Sequence, residues 1–181
     1  MTSMAEADPP LLEQDLCTGC AACCDGTMFS FVEITKDEEA RLGDLFTLES
    51  RTDDAIFYQP CPHSIEQRCQ VYERRPGTCR TFRCKTLKAL RKGEVESTEA
   101  FRRVSEMLRA REQIKPYLLD GETLNQARER RQKIAADPAL AAAHTAFLLR
   151  LTAFDLLLDR YFRNPGKAMF SRSTSETNAS L

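Results

Sequence analysis

The sequence predicts an α+β protein, mostly helical, in which a small irregular cysteine-rich module packs on a C-terminal antiparallel helical bundle. Three observations predict it. All eight cysteines of the 181 residues lie between Cys17 and Cys84. The stretch from Phe46 to Cys84 is broken by Pro60, Pro62 and Pro76 and holds only short strand-like fragments. From Lys85 onward, apolar residues recur at helical spacings of three and four. This length suits one compact unit with two halves. The expected divisions are a disordered tail at 1–14, a cysteine module at 15–93, a helical bundle at 94–163 and a second disordered tail at 164–181.

The elements follow in order. Residues 1–14 are polar around Pro9 and Pro10, with neither a basic start nor an apolar run, so they read as neither a secretory signal nor a membrane anchor. Thr27 to Ile34 alternates as a half-buried strand does. Thr35 then caps a short helix, paired with Glu38 in a capping box, with Ala40, Leu42 and Leu45 on its apolar side. Strand fragments are expected at Ala55 to Tyr58 and at Cys69 to Tyr72. Helices are expected at Lys85 to Lys92, ended by Gly93, and at Thr98 to Leu119, kinked near Pro116 and ended by Gly121. Two more follow at Thr123 to Ala136 and at Pro138 to Phe162, the last with Asp137 as N-cap. Leu140, His144, Phe147, Leu151, Phe154, Leu158 and Tyr161 make one continuous stripe on that helix. Phe101, Val104, Leu108, Ile114 and Leu118 supply the matching face.

Charge is divided unequally. Residues 1–60 carry thirteen Asp and Glu against three Lys and Arg, whereas residues 61–181 carry fourteen against twenty-three. Two halves of opposite sign attract each other or a charged partner. The basic runs Arg74 to Lys92 and Ala127 to Lys133 lack the interleaved aromatics that stack bases, so a solvated helix face or a surface meeting the acidic half is favoured over nucleic acid. The most apolar stretch, Ala139 to Phe162, is interrupted by His144, Arg150, Asp155, Asp159 and Arg160, too many polar groups for a bilayer. No membrane association is expected, and the reading is cytoplasmic.

The first four cysteines, Cys17, Cys20, Cys23 and Cys24, form the octapeptide CTGCAACC. Thiolates are soft ligands for zinc and for iron-sulfur clusters, and two-residue gaps let neighbouring sulfurs converge. In a reducing cytosol eight cysteines are ligands or redox groups rather than structural disulfides. Cys61, Cys69, Cys79 and Cys84 could complete two four-cysteine sites. Alternatively, Cys17, Cys20 and Cys23 repeat a ferredoxin-like spacing, with Cys61 as a remote fourth ligand before proline. In a helix or a loop, the vicinal Cys23 and Cys24 are expected to diverge, which predicts two neighbouring sites or one free thiol. Arg68, Arg74, Arg75, Arg80, Arg83 and Lys85 are placed to offset thiolate charge. A disulfide-exchange role for Cys17 and Cys20 lacks its βαβ setting. His63 is a weaker ligand candidate, and His144 reads as a core or interface residue. Tyr72, Glu73 and Arg75 are candidates to orient the cysteine loop through a salt bridge and a buried phenol.

The octapeptide, the following segment FVEITKDEEARL and the run CQVYERRPGTCRTFRC from Cys69 to Cys84 together resemble the YkgJ-like cysteine-cluster family, a zinc- or iron-chelating domain. The resemblance covers roughly residues 15 to 90. It implies ligands at Cys17, Cys20, Cys23, Cys24, Cys69, Cys79 and Cys84, with Cys61 in the variable middle; Arg83 stands where the family commonly has proline. Flagellin lysine methylases carry a similar cluster, which implies that redox or methyl-transfer chemistry can be hosted on such a scaffold. No glycine-rich cofactor loop accompanies it here. The expectation is therefore a soluble, metal-stapled chelator of zinc or an iron-sulfur cluster. Its alternatives are an iron-sulfur enzyme of redox or group transfer, and a zinc-stabilised module that binds a protein partner.

Overall fold

The computed structural model describes residues 9–166 and is a mostly helical α+β fold. The expected tails fall largely on residues 1–8 and 167–181, outside the described residues. Helix α1 (Pro9–Cys20) nevertheless begins within the stretch expected to be a tail. Its two prolines stand in the first turn, where backbone N–H groups have no helical partner to lose.

Strand β1 (Phe31–Thr35) leads into α2 (Lys36–Leu42), with Thr35 at the N-cap. The capping box does not form as expected. Thr35 makes no side-chain cap bond, and the Glu38 carboxylate instead accepts from Arg41 Nη2 at 2.7 Å and from the Gly77 N–H at 3.0 Å. Strands β2 (Glu49–Ser50) and β3 (Asp54–Tyr58) complete an antiparallel sheet of order β1-β3-β2, in register Val32 to Phe57 and Glu49 to Ile56. Val32, Ile34, Leu42, Phe46 and Phe57 form a small core of their own under this sheet, with Phe46 stacked on Phe57 at 4.2 Å.

A two-stranded hairpin follows, β4 (Ser64–Ile65) with β5 (Arg68–Cys69). Its two-residue loop, Glu66 and Gln67, has φ of 49° and 65°. That is the turn handedness that matches strand twist, normally supplied by Asn-Gly. Helices α3 (Gly77–Thr81) and α4 (Lys85–Arg91) close the cysteine-bearing region.

The helical half consists of α5 (Ser97–Glu112), α6 (Leu124–Ala135), α7 (Pro138–Ala143) and α8 (Thr145–Tyr161). Helix α5 stops short of the expected Leu119, because Pro116 lacks an N–H and its ring would crowd the carbonyl of Glu112; Lys115–Tyr117 form a 3-10 turn instead. Thr123 caps α6 in a full capping box with Gln126. The single last helix is divided at His144, where Thr145 Oγ1 takes the carbonyls of Ala141 and Ala142 at 3.1 and 2.9 Å. Leu140 and His144 are consequently exposed, so His144 is not a core residue and the stripe starts at Phe147.

The main core joins both halves. Leu16, Ala22 and Met28 from the octapeptide region pack with Val104, Met107, Leu151, Phe154 and Leu158. At its centre, Asp155 is fully buried and accepts hydrogen bonds from Arg128, Arg131 and Arg163, while Arg163 also bonds Asp159 at 2.8 Å. The ARERRQK segment is solvated in part: Glu129, Gln132 and Lys133 are exposed, whereas Arg128 and Arg131 turn inward and Arg128 meets the front half at the Thr27 carbonyl.

Candidate metal centre

The cysteines are positioned by four separate pieces of chain. Cys17 and Cys20 lie one turn apart on α1, which ends at Cys20 because Ala21 adopts φ 52°. The chain then tightens: the Cys24 N–H bonds the Ala21 carbonyl at 2.7 Å and the Met28 N–H bonds Ala22 at 3.0 Å. Asp25 caps this turn, accepting from the Thr27 N–H at 2.9 Å, and is itself bound by Arg111 of α5. Arg128 of α6 donates to the Thr27 carbonyl at 2.8 Å and Asn125 to the Phe29 carbonyl at 3.3 Å. Basic helices therefore clamp the loop that follows the vicinal pair.

The second cysteine group is anchored to different elements. The Cys61 N–H bonds the Cys24 carbonyl at 2.8 Å, and Cys69 pairs with Ser64 across the hairpin. Cys79 rides on α3, whose first N–H is held by Glu38 and whose Thr78 hydroxyl donates to the Glu33 carbonyl at 2.8 Å. Cys84 is the N-cap of α4 and accepts from the Leu87 N–H at 3.4 Å. The end of α8 fixes it from behind: the Lys85 N–H bonds the Phe162 carbonyl, Thr86 Oγ1 the Tyr161 carbonyl, and Asn164 the Arg83 carbonyl.

All eight thiols are unpaired, and seven are half-buried, with Cys17 exposed. The sulfurs of Cys23 and Cys24 lie 3.6 Å apart. The expected divergence of the vicinal pair is thereby corrected: the left-handed turn at Ala21 and the Ala21–Cys24 turn bring the two sulfurs into contact. Cys17, Cys20, Cys23 and Cys84 line one cavity of about 60 Å³, walled by apolar side chains including Leu16 and Phe162. Among the described residues, no three His, Cys, Asp or Glu side chains are already drawn around a common point.

Electrostatics describe the same neighbourhoods. Cys17 is exposed as a residue but lines the apolar cavity, and the loss of water there pushes its thiol up to about 11, with Cys84 adding to the rise and Arg83 opposing it. Burial likewise raises Cys20 to about 12, against an N–H from Ala22, with Cys84 and Cys17 contributing. Burial also carries Cys79 to about 12, and there the added repulsion comes from Cys24, Cys61 and Cys69. Cys61 is raised by burial, tempered by the His63 N–H, while Cys24 and Cys69 push it further. Cys84 is raised by burial and tempered by the N–H groups of Leu87 and Thr86. The sulfur contact couples the vicinal pair, in which either thiol can donate to the other: Cys23 is raised and Cys24 is lowered.

These residues fit a thiolate-bound metal. The ligands are soft, backbone N–H groups aim at the sulfurs of Cys20, Cys61 and Cys84, and cations stand at hand. Arg75 opposes the negative charge of Cys24 and Cys79, and its buried Nε has no hydrogen-bond acceptor among the described residues. Arg83 and Lys88 do the same for Cys17 and Cys84. Other expected cations are occupied elsewhere: Arg74 pairs with Asp44 at 2.8 Å, Arg80 binds the Glu73 and Arg75 carbonyls, and Lys85 the Asp159 carbonyl. His63 spends Nε2 on the Leu45 carbonyl at 2.6 Å and sits edge-on to Phe46, a packing role. Tyr72 is exposed and stacks under Arg75 at 3.8 Å, so the expected buried phenol is absent there. The sequence reading missed Asp25, Arg111 and Arg128, which hold the octapeptide loop. Their one signal was the charge opposition between the halves.

A family model described as "CxxCxxCC: Putative zinc- or iron-chelating domain" matches residues 16–114. The match runs beyond the expected limit near residue 90 and takes in α4 and α5, whose Leu87 and Val104 line the cysteine cavity. No curated protein and no solved structure matches the chain. No helix among the described residues is long and apolar enough to cross a membrane.

Proposed function

This chain belongs to the CxxCxxCC family of zinc- or iron-chelating domains, and from that premise we infer that it binds its metal through the thiolates of Cys17, Cys20, Cys23, Cys24, Cys61, Cys69, Cys79 and Cys84. The observation that carries this reading is the apolar cavity in which Cys17, Cys20 and Cys23 of the octapeptide meet Cys84 at the start of α4. Each of those pieces is short, and a metal bound between them would cross-link what little hydrophobic burial cannot. A reducing cytoplasm is the compartment in which eight such thiols stay available.

The chain's own residues prepare the site in two ways. Thiols at their ordinary value are protonated at neutral pH and the apolar surroundings of Cys17, Cys20 and Cys79 raise theirs further, so chelation must release protons. Backbone N–H groups and Arg75, Arg83 and Lys88 then stabilise the negative sulfurs that remain.

Purification without oxygen followed by metal analysis and visible spectroscopy tests the reading. Stoichiometric zinc in a colourless protein, or iron with the broad visible absorption of an iron-sulfur cluster, is the expected result, and the two identify which metal is held. A protein free of both metals that takes up neither when reduced and supplied with them would sink it.

A further inference from the structure

The eight thiols are arranged as two groups. Cys17, Cys20, Cys23 and Cys84 line a single cavity, which Cys24 does not enter. Cys20, Cys23 and Cys84 pack on the main core, whereas Cys61 and Cys79 pack on the separate core beneath the sheet. Cys24 is tied by its carbonyl to Cys61, and Cys61 precedes the hairpin whose second strand ends in Cys69. Resting on the chelation reading above, we propose that this protein holds two adjoining four-thiolate centres, one from Cys17, Cys20, Cys23 and Cys84 and the other from Cys24, Cys61, Cys69 and Cys79.

The vicinal pair is the boundary. Cys23 belongs to the cavity side and Cys24 to the hairpin side, and their contact puts the two centres wall to wall. Each group also has its own counter-charge. Arg83 and Lys88 serve the first, and Arg75, with its unpartnered buried Nε, serves the second. Four thiolates around a divalent ion carry a net charge of about −2, which is why each centre needs a cation beside it. An adjacent pair of cysteines thus spans two sites without either site having to accept both sulfurs.

Cobalt(II) titration of the reduced full-length chain, read by sulfur-to-cobalt charge-transfer absorption, gives the count. The wild type is expected to bind two equivalents. Cys23→Ser and Cys24→Ser are each expected to halve the four-sulfur signal; Cys23→Ser with Cys84→Ser still leaves one centre, and Cys23→Ser with Cys79→Ser leaves none. A single equivalent in the wild type, or loss of both centres on changing Cys23 alone, overturns the division. No uptake by the wild type removes the chelation reading itself, whereas uptake with a different grouping removes only the division.

A measurement on the unaltered protein avoids any misfolded variant. The zinc-loaded chain is exposed to a chelator, its freed thiols are alkylated over time, and each cysteine is followed by peptide mass spectrometry. Cys23 is expected to be freed together with Cys17, Cys20 and Cys84, and Cys24 with Cys61, Cys69 and Cys79. Release of Cys23 and Cys24 in one common phase contradicts the proposal.

Discussion

Residues with strained backbone hold the cysteines where they are. Ala21, with φ 52°, ends α1 one residue after Cys20, and Glu66 and Gln67, with φ 49° and 65°, make the turn that delivers Cys69. A left-handed residue other than glycine costs roughly 1–2 kcal/mol. Glu66 and Gln67 are both exposed, so their replacement removes strain without removing packing. Gln67→Gly is expected to stabilise the protein by about 1 kcal/mol, seen as a higher midpoint in urea unfolding with metal content unchanged. Unchanged or lower stability would mean that the loop is not strained. None of this could be read from the sequence, because neither CTGCAACC nor SIEQRC carries a glycine or asparagine at the position that turns. The divergence expected of Cys23 and Cys24 failed for that reason: it assumed either a continuing helix or a loop built around Gly19, and the turn sits at Ala21 instead.

Among the elements, α5, α6 and α8 connect the cysteine region to the rest of the fold. Arg128 of α6 joins the Thr27 carbonyl to Asp155 of α8, and Arg131 and Arg163 share that same carboxylate. Removing a buried carboxylate from such a group leaves guanidinium charge uncompensated, at a cost of about 3–5 kcal/mol. Asp155→Ala is therefore expected to lower the unfolding free energy by that amount and to loosen the loop after Cys24, detected as faster amide exchange at residues 25–29. A loss under about 1 kcal/mol would assign the stability to apolar packing instead. Helical periodicity made Thr123 to Ala136 and the stripe from Phe147 to Tyr161 legible, since regular spacing survives in sequence. The ionic core was illegible, because Asp155 and Asp159 read as interruptions of an apolar helix, and only their partners reveal them as its centre. The break at His144 was equally hidden in the Thr145 hydroxyl, which competes for carbonyls from one residue further on.

At the scale of the whole molecule, opposite charge draws the halves together through Arg111 with Asp25, Arg91 with Glu13 and Arg74 with Asp44. The exposed pairs among these contribute little each and are screened by salt. The thiols matter more for pH. A thiol kept protonated by burial binds its proton more tightly in the folded chain than in the unfolded one. The stability it confers is complete below about pH 9, the ordinary thiol value, and is lost as pH rises toward about 11 for Cys17 and about 12 for Cys20 and Cys79. Metal-free protein is thus expected to lose thermal stability above pH 9. Metal-loaded protein is expected to lose it instead as pH falls, because protons then compete for the sulfurs. Melting curves across pH, with and without chelator, check both slopes; parallel curves would mean that the thiols are not the metal's ligands.

X-ray absorption at the edge of whichever metal accompanies the protein, purified without oxygen, addresses thiolate ligation most directly. A first shell of sulfur alone, at ~2.3 Å, is the expected result. A shell dominated by nitrogen or oxygen would contradict chelation by these eight cysteines.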